Sequence, residues 1–121
     1  MAFAPSRAVY HLEALGPGLA LVEVNGRLQD AAIARWTALL NGVIAEGAAG
    51  IVVDLRGCTW IDSACSSALF RASSEMTEGT DAAMRLVTYA GSPVDLELSG
   101  LAGELPVHGS VQEALLSFQL Q

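Results

Sequence analysis

Between two stretches of helical periodicity lies a short run of branched apolar residues, Ile51-Val52-Val53, followed by Asp54-Leu55. A run without polar alternation is how a central strand covered on both faces reads. It demands helices on its two sides, and the flanking sequence supplies them. Upstream, Ile33, Trp36, Leu40, Val43 and Ile44 recur at helical spacing, with Asp30 as the expected cap and Gly47 as the stop. Downstream, Asp62 or Ser63 opens a second helix with Cys65, Ala68, Leu69, Ala72 and Met76 on its inner face, stopped by Gly79. A helix between two strands implies a crossover and parallel pairing.

The remaining elements fall in place around this centre. Val9 to Ala14 alternates loosely and reads as an edge strand. It is joined through the turn Gly16-Pro17-Gly18 to a strand over Leu19 to Val24 that Asn25-Gly26 should break. Arg85 to Tyr89 is the next strand. Ser92-Pro93-Val94-Asp95 starts a third helix with a capping hydroxyl, Pro at its first position and an acid in its first turn. Leu105-Pro106-Val107 is an edge-strand stub. Ser110-Val111-Gln112-Glu113 is a capping box for a last helix with Val111, Ala114, Leu115 and Phe118 inward. The order β-β-α-β-α-β-α-β-α predicts an α/β fold. Its mixed, mostly parallel sheet has about four or five strands, an N-terminal hairpin and about four helices packed against it.

Composition narrows the function. With 121 residues, 52% hydrophobic and 16% charged, the chain suits one domain with a real core and argues against disorder. The whole length is expected to be that domain, with residues 1–7 and 120–121 as loose ends. Thirteen acids face six bases, all Arg, for a net charge of −7. A nucleic-acid binder needs a basic face, so nucleic acid is not an expected partner. An anionic membrane surface repels such a chain, and no apolar run reaches the ~20 residues of a bilayer span. The start, Met1 to Arg7, lacks the pattern of a secretory signal, and a cytoplasmic location is expected. Cys58 and Cys65 match no common zinc spacing and read as core thiols, with no metal or cofactor expected.

Chemistry concentrates where the central strand gives way to the second helix. In parallel sheets, functional loops gather beyond the carboxyl ends of the strands. Arg56 to Ile61 reads as the connecting loop, with Trp60 either half exposed as an interface anchor or packed under the helix. Ser63 falls in the first helical turn, where free N–H groups and the positive end of the helix dipole favour an anion. A phosphate on Ser63 is tolerated there, and beside Asp62 it sharply raises the local negative charge. The plainer alternative is that Asp62 and Ser63 only cap the helix. Nothing compels an enzyme. Asp54 and Asp62 make a poor carboxylate pair, and a Ser63–His108–Asp54 triad lacks the glycine pattern of a nucleophile elbow.

The segment Val52-Val53-Asp54-Leu55 with Ile61-Asp62-Ser63-Ala64-Cys65 resembles the signature of STAS domains, the fold of the bacterial anti-sigma factor antagonists. Val24-Asn25-Gly26-Arg27-Leu28 resembles the family's Gly-Arg-Leu turn. Leu98-Ser99-Gly100-Leu101 and Ser110 to Leu115 resemble its last two helices. The resemblance implies a partner-switching antagonist rather than an enzyme. Its phosphorylation site falls on Ser63, and its partners are an anti-sigma factor that is also a serine protein kinase, and a serine phosphatase. Loop placement gives the expected contact surface as Asp62, Ser63, Ala64, Cys65 and Ser66 with Trp60, Gly26, Arg27 and Arg56. Ala64-Cys65 departs from the family's Ser-Gly. The alternative is an accessory subunit of a lipid or anion transport complex, or a member of a stress-sensing scaffold. A homodimer through the exposed first strand is left open.

Overall fold

The computed structural model describes residues 8–29, 31–78, 82–99 and 106–119. The elements run β1 (Val9–Gly16), β2 (Leu19–Leu28), α1 (Ala32–Ala45), β3 (Gly50–Ile61), α2 (Ser63–Thr77), β4 (Ala83–Val87), α3 (Pro93–Ser99), β5 (Val107–His108) and α4 (Val111–Gln119). The sheet order is β1-β2-β3-β4-β5, with β1 antiparallel to β2 and every other pair parallel. This is the mixed α/β architecture expected from the sequence, with its N-terminal hairpin.

Strand order follows chain order, and that decides where the helices lie. Crossovers of one hand advancing in one direction leave their helices on one face of a sheet. Accordingly Trp36, Leu40 and Val43 of α1, Leu69 and Met76 of α2, and Val94 and Leu98 of α3 share one core. The sheet contributes Val22, Val24, Ile51, Val53, Leu55, Met84 and Leu86 to it. The alternate residues Leu21, Val52 and Val87 point the other way and meet α4 through Ala114, with Val111, Leu115 and Phe118 alongside. Ile51, Val52 and Val53 are all 0% exposed, because both faces of β3 are covered.

Several boundaries differ from the sequence reading. The strand expected to break at Asn25-Gly26 continues to Leu28, with Gly26 at φ 100°. The expected loop Arg56–Ile61 is strand, paired with Asn25–Leu28 across two bulges. β4 ends at Val87, two residues short of the expected Tyr89. Helix α1 begins with Ala31 at its cap position and no side-chain cap bond. The cap assigned to Asp30, the stops at Gly79 and Gly100, Leu105 and the two chain ends lie outside the described residues.

The other helix starts form as their sequences dictate. Asp62 Oδ1 accepts from the Cys65 N–H at 2.8 Å. Ser92 Oγ accepts from the Asp95 N–H at 3.2 Å, and Ser110 Oγ from the Glu113 N–H at 3.1 Å. Glu113 reaches back one residue further than a regular capping box, to the Gly109 N–H at 3.0 Å. Among the described residues, no helix is long and apolar enough to cross a membrane.

Candidate functional site

β3 outruns β4. Its first five residues, Gly50–Asp54, pair on both sides, whereas Gly57–Ile61 pair with β2 alone. The two strands therefore project from the sheet's carboxyl end as a ribbon, and the ribbon's tip turns directly into α2. Two irregularities shape it, one between Glu23 and Asn25 and one between Gly26 and Arg27. Each sets an extra residue of β3 against β2, which strengthens the local twist. A Cβ at Gly57 would meet the side-chain amide of exposed Asn25, which would have to turn away. At the tip, the Asp62 N–H donates to the Leu28 carbonyl at 2.9 Å, locking the end of β3 to the end of β2.

Ser63 is the first residue of α2 and is exposed. The cap is Asp62's: its carboxylate satisfies the Cys65 N–H, and its extended backbone, φ −86° and ψ 171°, is that of a cap residue. Capping therefore does not consume the Ser63 hydroxyl, which stands in water at the positive end of the helix dipole. Ala64 is exposed beside it. The first turn is anchored from below. The Trp36 indole, fully buried in α1, donates to the Cys65 carbonyl at 3.0 Å and stacks on Tyr10, with ring centroids 5.9 Å apart.

The expected contact residues do not all reach the surface. Cys65 and Ser66 are each 0% exposed. Cys65 faces the core among the helix-side apolar residues, and the Ser66 hydroxyl is turned back to the Ser63 carbonyl at 3.1 Å. Helical geometry explains this: two and three residues past Ser63, the side chains have rotated under the helix. Both are corrected from surface contacts to interior positions. The departure from the family's Ser-Gly is thus a surface change at Ala64 and a core change at Cys65.

On the ribbon, Arg27 lies opposite Trp60, and Leu28 opposite Ile61. Leu28 and Ile61 are buried toward α1 and α2, so Arg27 and Trp60 point to the other face. Arg27 is exposed and Trp60 is 46% exposed, so the indole is not packed under the helix. Gly26 is half-buried, and its carbonyl accepts from the Thr59 hydroxyl at 3.3 Å.

Arg56 has a structural partner. Its Nε and Nη2 fork onto the two oxygens of Asp54 at 3.0 and 2.9 Å, and its own N–H also donates to Asp54 Oδ1. That side-chain hydrogen bond raises the guanidinium above its usual range. Asp54 is 6% exposed, and both its oxygens are engaged by Arg56.

One residue at this end was not picked out from sequence. Tyr89, just beyond β4, is 61% exposed and close enough to act electrostatically on Arg56. The available signal was the end of the apolar run at Val87. Thr88 turns its hydroxyl to Asp95 at 2.9 Å, which begins the turn into α3 and leaves the next residue outside the sheet.

The comparisons with known proteins follow this geometry. The profile of the STAS domain matches residues 14–114. Among curated proteins, none matches the sequence significantly. Many solved structures share the fold, three of them as follows. One is an anti-sigma factor antagonist from Mycobacterium paratuberculosis, at TM-score 0.78 and 18% identity over 96% of this chain and 97% of that one. A second is the Bacillus cell fate determinant SpoIIAA in its phosphorylated form, at TM-score 0.65 and 18% identity over 91% and 99%. The third is a murine Solute Carrier 26 family anion transporter in the inward-facing state. There the TM-score is 0.65 and the identity 21%, over 86% of this chain and 18% of that one.

Proposed function

The chain belongs to the STAS domain family, and from that premise we propose that it is an anti-sigma factor antagonist working by partner switching. Unmodified, it binds an anti-sigma factor that is also a serine kinase, and the sigma factor is freed. The kinase phosphorylates Ser63, the complex parts, and a serine phosphatase resets the cycle. In this reading the protein is a cytoplasmic binding module and a kinase substrate, with no catalysis of its own. The observation that carries it is the exposed Ser63 at the first position of α2, beside a cap already completed by Asp62. A Bacillus relative of the same fold, solved in phosphorylated form, supports it.

The energetics suffice without a change of fold. Phosphorylation adds a charge of about −1.5 to −2. At about 5 Å from an acid on the partner, each unit costs roughly 3 kcal/mol at an effective dielectric of 20. Only about 1.4 kcal/mol changes affinity tenfold. The contact surface is the tip of the ribbon and the start of α2: Asp62, Ser63 and Ala64, with Gly26, Arg27 and Trp60. Arg27, exposed and in no ion pair among the described residues, is the cation offered to a partner's acids or to the phosphate.

The test begins with co-purification of the kinase from the native cell, followed by phosphorylation with ATP and mapping of the phosphate by mass spectrometry. The phosphate is expected on Ser63. Ser63→Ala keeps binding and blocks modification, and Ser63→Glu weakens binding about tenfold or more. A phosphate mapped elsewhere overturns the assignment.

A second reading rests on the transporter likeness: an accessory domain of an anion or lipid transport complex. Co-purification separates the two, because a transporter subunit in place of a kinase supports the second and sinks the first.

A further inference from the structure

We propose that His11, Glu13 and Glu23 form a binding site for a divalent transition-metal ion, Zn2+ as the representative case, on the open corner of the β1–β2 hairpin. His11 lies directly opposite Glu23 in the antiparallel ladder. Glu13 lies two residues along β1, and side chains two apart share a face. The ligand atoms of the three all lie within 4.8 Å of one another. Ligands about 2.1 Å from one ion lie at most about 4.2 Å apart, so rotation of these exposed or half-buried side chains draws all three onto a single ion. The backbone there is held firmly, since β2 is hydrogen-bonded to β1 on one side and β3 on the other.

The corner is open to water. Helix α4 lies over β3, β4 and β5 and covers the neighbouring Leu21, Val52 and Val87. His11 and Glu13 remain exposed and Glu23 half-buried. Charge also favours a cation. The carboxylates of Glu13 and Glu23 are held close, and the guanidinium that feels Glu23, Arg56, is already forked onto Asp54 at 2.9 and 3.0 Å. The donor set selects the metal. One imidazole nitrogen and two carboxylate oxygens suit Zn2+ and its transition-metal neighbours, whereas Ca2+ and Mg2+ take oxygen ligands only. Three protein ligands leave a tetrahedral ion one position for water. A bound ion clips the edge strand β1 to its neighbour.

Sequence spacing hides this site. His11 and Glu13 are near neighbours in the chain, but only the hairpin register brings Glu23 to them. The experiment is calorimetric titration of metal-free protein with zinc chloride at neutral pH, with thermal melting as a second readout. One Zn2+ per chain is expected, with a higher melting temperature when zinc is present. His11→Ala and Glu23→Gln each weaken binding by at least about tenfold, since even loss of an indirect partner of a metal ligand costs 10- to 100-fold. Both variants keep the metal-free melting temperature of the parent. No saturable binding, or unchanged affinity in His11→Ala, overturns the site. Ca2+ bound as tightly as Zn2+ overturns the donor-set argument.

Discussion

At Cys58 the S–H donates to the Trp60 carbonyl at 3.2 Å, and the residue is 5% exposed. Burial pushes this thiol above its ordinary range. The sign for stability follows directly. The folded chain holds the thiol proton to a higher pH than the unfolded chain does. The stabilisation is complete below the ordinary thiol pKa of about 8.5 and is lost as pH rises through the folded value. Urea midpoints measured from neutral to alkaline pH are expected to fall, and to fall less steeply in Cys58→Ala. An equal slope in the variant would remove Cys58 as the cause. Tyr10, raised first by its own burial, adds a loss of the same sign at higher pH. Cys65, also buried, shows why single residues mislead in sequence. Its periodicity places it on the inner face, while its place at the start of the second helix makes it an expected contact. Helix rotation permits only the first, and its 0% exposure settles the matter.

Among the elements, α4 comes close to the sheet at Gly50. A Cβ there meets Leu19 Cδ2 at 2.7 Å and the Phe118 ring at 3.1 and 3.2 Å. Gly50→Val overpacks this contact and is expected to cost about 1–3 kcal/mol in urea unfolding. Replacing Phe118 with Ala in the same chain should recover part of that loss, because the two changes share one space. Additive losses would mean that α4 does not press on β3 at this point. The order of elements was legible because each carries its own period and punctuation. Ile51-Val52-Val53 is apolar without alternation, α3 opens on Ser-Pro with an acid, and α4 opens on Ser110 with Glu113 three residues on. The ribbon was not legible, for a physical reason. Arg56, Gly57 and Thr59 are polar or small, and the two irregularities with β2 break the alternation that marks a strand. Only the pairing of Gly57–Ile61 with Asn25–Leu28 reveals it, and pairing is a property of two segments. The same limit hid the Asp54–Arg56 fork, which converts a presumed surface cation into part of the strand end.

Across the whole molecule, the two faces of the sheet are unequally covered. Three helices and most of the buried apolar residues lie on one face, while α4 covers the other over Leu21, Val52, Val87 and its own Ala114. Beneath α4 lies Arg85, 7% exposed, its guanidinium 4.8 Å from the centre of the Phe118 ring and donating to Ser117 Oγ at 3.0 Å. Desolvation lowers its pKa. It forms no ion pair among the described residues, so part of what α4 gains by burying apolar surface offsets the burial of a charge. β5, the two-residue strand leading into α4, bonds to β4 alone. Local opening follows the weakest packing. Helix α4 and β5 are therefore expected to open together, at a lower free energy than β3 and α2. Hydrogen exchange by mass spectrometry tests this: α4 peptides should exchange ahead of those from β3 and α2 under native conditions. The ribbon tip and the start of α2, rooted in the larger core through Leu28, Ile61 and Trp36, should keep their protection while α4 opens. Equal protection of α4 and β3 would show that the smaller core and its buried guanidinium hold as firmly as the larger one.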